Sequence, residues 1–173
     1  MRDKSIPTKA AFLRDCVFAA NDGIITTFAI VAGAQGASFS TSVILIMGIA
    51  NLLADGISMG AGNYLGVKSE KQYRAANGDD DDDNGTPFVH GLITLSSFVI
   101  IGLIPLISFL LHLTNAFEIS IVMVFIALFT TGYIRGKYAN KHSLQAAMET
   151  LLVGGFAALT AYGIGFLLDH FVV

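Results

Sequence analysis

The sequence predicts an all-α membrane protein of five transmembrane helices, and three observations carry that expectation. Of 173 residues, 54% are hydrophobic and 13% charged, about half the charged share of a soluble domain. Mean hydropathy is +0.67, and several apolar runs approach the ~20 residues that a helix needs to cross the hydrocarbon core. The basic residues are also sorted. Arg2, Lys4, Lys9 and Arg14 precede the first run. Lys68, Lys71 and Arg74 follow the second, and Arg135, Lys137 and Lys141 follow the fourth, which accounts for all ten Lys and Arg. With five spans these three segments share one side, which the positive-inside rule makes cytoplasmic.

Taken in order, residues 1–11 are polar, with Pro7 keeping the start irregular. A first helix is predicted over about 12–35, ended by Gly36 and the turn Ser38 to Ser42. The second covers about 41–67, and Lys68 to Arg74 continue it as a polar helix end before an acidic loop, 72–86, that holds the run Asp79–Asp83. Thr86-Pro87 looks like a helix start, with proline in the first turn. The third helix then spans about 87–112, kinked at Pro105 or tolerated there by its neighbours. The fourth covers about 117–134, Arg135 to Lys141 form a loop, and the fifth runs over about 144–168. The whole chain, 1–173, reads as one transmembrane domain. Cys16 is the single cysteine, so an intramolecular disulfide is excluded. No removable signal peptide, basic nucleic-acid-binding helix, phosphate loop, HExxH or nucleophile–base arrangement is apparent. Neither an enzyme nor a resident cofactor has support.

The stretch that needs explaining is Asn51 to Asn63. On a helix Asn51, Asp55 and Met59 fall at i, i+4 and i+8 and form one polar stripe inside an apolar segment. An intramembrane carboxylate is a functional-site hypothesis by default, and a thioether one turn away adds a soft ligand. Asp22 lies about ten residues into helix one, ~15 Å along its axis, with Thr26 and Gly33 near the same face. Gly56-x-x-x-Gly60 is a small-xxx-small pattern that lets helices approach. Two carboxylates and a thioether on adjacent, closely packing helices suit Fe²⁺ or Mn²⁺ more than Ca²⁺ or Mg²⁺. Plainer readings stand beside this one. A buried Asp can be bonded to a nearby Asn or Thr as a structural network, and a helical Met is usually packing. The aspartate run reads as a solvated loop or as a cation-concentrating mouth. His90 reads as an interfacial histidine, with ligation or proton carriage as the alternative. Glu118 and Glu149 suit helix N-termini.

Two stretches, Asp22 to Gly33 and Ala54 to Glu70, resemble the vacuolar iron transporter family, and the similarity extends to Gly132–Lys137 and Glu149–Gly155. The resemblance implies a homodimer of five-helix protomers that exports Fe²⁺, in some members Mn²⁺, from the cytoplasm in exchange for protons. It implies a path along the dimer interface, with Asp22 and Met59 as intramembrane ligands; the helix-two stripe adds Asp55 and Asn51 as expected supporting residues. Many members insert a glutamate-rich cytoplasmic metal-binding domain between helices two and three. Here only Gln72 to Thr86 stand in that place, and position 63 is Asn where many members are acidic. The match is closer to short bacterial members, so a bacterial or archaeal inner membrane is expected rather than a vacuole. A transporter of another small cation or solute, and a non-transporting membrane scaffold, are the competing readings.

Overall fold

The computed structural model describes residues 8–78, 85–139 and 142–172. The aspartate run Asp79–Asp83 lies outside the described residues. Six helices follow in order: α1 Lys9–Gly36, α2 Thr41–Ala76, α3 Pro87–Gly102, α4 Ile104–Leu110, α5 Ala116–Tyr138 and α6 Ser143–Phe171. Among the described residues four of them are long and apolar enough to cross a membrane, five if the bent pair α3 and α4 counts as one span.

The differences from the sequence reading lie at helix ends and at one break. Helix one starts at Lys9 because Thr8 caps it, its side chain accepting from the Ala11 N–H at 3.2 Å. Helix two runs unbroken to Ala76, so Lys68 to Arg74 form the polar helix end expected and the loop begins at Asn77, later than the 72 given above. At 36 residues it is about 54 Å long, well over the ~30 Å hydrocarbon core. Arg135 and Lys137, read above as loop, occupy the last turn of α5, where cations suit the helix C-terminus. The third span is not continuous. It breaks at Leu103 and bends by 43°. Pro105 has no N–H to give to the preceding turn and so ends the ladder there. Serines tie the displaced segment to α5: Ser120 Oγ donates to the Pro105 carbonyl at 2.7 Å, and Ser108 Oγ to the Ala116 carbonyl at 2.6 Å.

α1 is the central helix and touches all the others. Its buried face, Ile24, Phe28 and Val31, meets Phe98 of α3 and Leu106 of α4 in one apolar core that also takes Ile44 and Leu52 of α2. α6 is the most peripheral span, with Leu152, Phe156 and Leu159 at least 70% exposed. A face of that composition suits lipid.

Glycines set the closest crossings. α2 buries Gly48, Gly56 and Gly60 against α3 and α4. A Cβ added at Gly91 of α3 would sit 2.7 Å from the Gly60 carbonyl oxygen, and one at Gly60 would sit 2.9 Å from the Gly91 carbonyl oxygen. The obstacle on each side is backbone, so neither helix can yield by a rotamer change. Gly91→Ala is therefore expected to destabilise by about 1–3 kcal/mol, the usual cost of overpacking. Gly155, with nothing within 4 Å, is the control: Gly155→Ala should melt at or above the wild-type temperature in detergent, because alanine is the better helix former.

Candidate functional site

The face of α1 that carries Asp15, Phe18 and Asp22 and the face of α2 that carries Met59, Gly62, Asn63 and Gly66 form the walls of one groove of about 580 Å³. Thr94 of α3 closes it from the side. Asp22 and Met59, 37 positions apart in the chain, are thus brought to the same space. Gly62 and Gly66 keep the α2 wall low, since a Cβ at either would meet nothing within 4 Å. Asp22 and Met59 are both half-buried.

Asp55 and Asn51 do not line this groove. They sit one and two turns further along α2, where Asn51 Nδ2 donates to Asp55 Oδ2 at 2.7 Å. Asp55 is nonetheless close enough to Asp22 for the two carboxylates to interact as like charges. In a membrane interior that repulsion is relieved by a positive charge between them. Thr26 takes no part, because its Oγ1 donates to its own helix, to the Asp22 carbonyl at 2.8 Å. The close packing expected between α1 and α2 also takes another form. Gly23 of α1 and Gly56 and Gly60 of α2 pack on α3, where a Cβ at Gly23 would lie 2.6 Å from the Phe98 carbonyl oxygen, while Gly33 and Gly36 of α1 pack on α6.

A buried polar cluster that the sequence reading missed lies at one end of the groove. Asp15 Oδ2 pairs with His90 Nδ1 across α1 and α3, and both side chains are at most 3% exposed. Asp15 Oδ1 also accepts from Arg14 Nε and Nη2, each at 3.1 Å. Asn63 Nδ2 donates to Thr94 Oγ1 at 2.7 Å and reaches the His90 carbonyl at 3.4 Å. His90 is therefore a buried, partnered histidine near the start of α3. The available signal was spacing: Asp15 is two turns before Asp22 and Asn63 one turn after Met59, so both extend faces already under suspicion. Glu149 pairs with Arg135 Nη2 at 3.0 Å.

Among the described residues no group of three or more His, Cys, Asp or Glu could hold a metal ion. One chain gives the groove an acidic oxygen and a thioether sulfur at mid-span, a mixed hard and soft donor pair.

A sequence model of the VIT family matches residues 13–84 and 75–166. The chain belongs to the VIT family. Similar proteins include a vacuolar iron transporter of Toxoplasma gondii, 27% identical over 94% of this chain and 76% of the relative. Vacuolar iron transporter 1 of Arabidopsis thaliana is 26% identical over 94% of this chain and 88% of its own length. The protein of that name from Oryza sativa subsp. japonica is 28% identical over 90% and 85%. The Toxoplasma alignment runs over 229 positions, more than the 173 residues present here, so that relative carries residues with no counterpart in this VIT-family chain. The two matched pieces of the family model meet at 75–84, between α2 and α3.

Proposed function

We propose that the chain is a proton-coupled exporter of divalent transition metal, Fe²⁺ first and Mn²⁺ second, in the inner membrane of a bacterium or archaeon. The observation that carries this reading is the meeting of Asp22 and Met59 in one groove between membrane-spanning helices, in a family whose similar members are named as iron transporters. Asp22 binds metal or a proton in turn, and Met59 favours a transition metal over Mg²⁺ or Ca²⁺. Asp55, held by Asn51, adds negative potential nearby. One carboxylate and one thioether do not fill a metal's coordination sphere. A second copy of the chain, presenting the same groove across a two-fold axis, would double the set, which supports a homodimer. The segregation of Lys and Arg supports a cytoplasmic amino terminus.

The reading is tested by Fe²⁺ uptake into proteoliposomes of correctly folded protein under an imposed pH gradient. Gradient-dependent uptake is expected, and its absence would overturn the proposal. Selectivity is read separately from Met59→Leu. Leucine keeps the volume, so stability should move by less than about 1.5 kcal/mol. Loss of the sulfur should lower Fe²⁺ uptake by roughly tenfold, about the effect of one weak donor. Unchanged uptake and metal preference would instead remove Met59 from selectivity and leave it as packing.

A further inference from the structure

A second and larger groove opens between α1 and α5, next to the first and sharing Arg14 and Phe18 with it. It encloses about 1030 Å³. It exists because α5 is drawn against α6 while α1 is not drawn against α5. At the α5–α6 crossing a Cβ on Gly132 would lie 2.7 Å from the Ala147 Cα, and one on Gly136 would lie 2.6 Å from the Ser143 Cα. Thr150 of α6 therefore forms part of the floor.

The lining is sorted by chemistry along its length. Lys9, Arg14 and Arg135 stand at the end where α1 begins and α5 finishes, with Tyr138 beside them. Phe12, between Lys9 and Arg14 at the level of the cations, and Val17 and Phe18 below them make the apolar wall, and Phe12 and Phe18 are 50% and 63% exposed. Asn21 lines the deeper part, and its Oδ1 is buried with no hydrogen-bond partner among the described residues.

We propose that this groove binds one anionic phospholipid, with its phosphate among Lys9, Arg14 and Arg135 and an acyl chain along Phe12, Val17 and Phe18. A cationic rim above an apolar trough, on the flank of a membrane-spanning bundle, complements a headgroup phosphate and its chains in both charge and polarity. Basic pockets between transmembrane helices take anionic headgroups for this reason. The arginines have capacity to spare. Arg14 uses two nitrogens on Asp15 and its side chain is 60% exposed, while Arg135 uses Nη2 on both Glu149 and the Ala146 carbonyl and is 47% exposed, leaving Nε and Nη1. Each guanidinium has five N–H donors. Tyr138, 69% exposed, belongs to the aromatic belt at headgroup depth. Asn21 lies two turns below Arg14, about 10 Å by the helix rise, at the depth of the lipid's glycerol and ester groups. This inference does not depend on metal transport, only on the helices lying in a bilayer.

The test uses the full chain in mild detergent. Native mass spectrometry is expected to retain one phosphatidylglycerol per protomer and to lose phosphatidylcholine. After delipidation, phosphatidylglycerol should raise the melting temperature by roughly 5–10 °C over phosphatidylcholine, the shift a ligand near 100 times its Kd gives a chain of this size. Lys9→Gln should remove part of that shift and Lys9→Gln/Arg135→Gln all of it. Because Arg135 also holds Glu149, the single Lys9→Gln variant decides the matter if the double variant fails to fold. Equal stabilisation by phosphatidylcholine, or full lipid retention by Lys9→Gln, would overturn the site. An equal shift with inorganic phosphate would make it a soluble-anion site. A disulfide between two copies of Phe12→Cys, a residue that lines this groove and not the Asp22 groove, in a Cys16→Ser background would give the groove to a second copy of the chain. Either result would overturn the lipid assignment.

Discussion

Asp22→Asn is expected to abolish pH-gradient-driven Fe²⁺ uptake, a fall of roughly 100-fold or more, since even groups that only orient a metal ligand are worth 10- to 100-fold. Asparagine has nearly the same size and shape, so the groove keeps its walls of Asp15, Met59, Asn63 and Thr94. What disappears is the one negative charge that the groove holds at mid-span beside Met59. The fold should not suffer. Asp22 accepts no side-chain hydrogen bond among the described residues that its loss would orphan, and Thr26 bonds the Asp22 backbone, which the substitution leaves in place. The repulsion from Asp55 is also relieved. A thermal melt on the same preparation should therefore match or exceed wild type. That combination, transport lost with stability retained, is one that a merely structural aspartate would not produce. Uptake that survived in the variant would remove Asp22 from the path while leaving the transported ion untouched.

The largest effect on stability is expected at the other end of the groove. His90→Leu removes the partner of a carboxylate that is 3% exposed and leaves Arg14 to hold it alone. Breaking a buried pair from one side costs about 3–5 kcal/mol, which for a chain of this length lowers the melting temperature by about 10 °C. Adding Asp15→Asn should restore a substantial part of the loss, because the stranded charge goes with it, and the double-mutant cycle isolates the pair from the packing change. Wild-type melting of His90→Leu would mean that the Arg14 contact is enough. A double variant no better than the single would assign the loss to packing around His90.

Much of the fold was legible because each span declares itself by length and hydropathy, and because the basic residues punctuate the sequence at regular places. Pro105 marked the bend, although the full break at Leu103 depends on Ser108 and Ser120 supplying hydrogen bonds from a distance. Asp22 and Met59 were legible as a pair, since an acid and a thioether at mid-span are each out of place in hydrocarbon. The Asp15–His90 pair was not. Its members are 75 positions apart, and although His90 stood out by itself, nothing local pointed from it to Asp15. The relation between α1 and α2 was also hidden. Glycines on both helices suggested that they pack on each other, and nothing local distinguishes that from packing on a shared third helix.

That third helix has a consequence for how the groove keeps its gauge. α1 rests on α3 at Gly23 and Gly102, and α2 rests on it at Gly60 and Gly91, so α3 acts as a spine to which two pages are bound. The opening between acid and thioether is the angle between those pages, and neither page sets it alone. Leu95, which presses on both Gly56 and Gly60, is the shim on the α2 side. A change of size there would turn the Met59 wall relative to the Asp22 wall without touching either residue. The aperture offered to an ion is therefore adjustable from a position that never meets it.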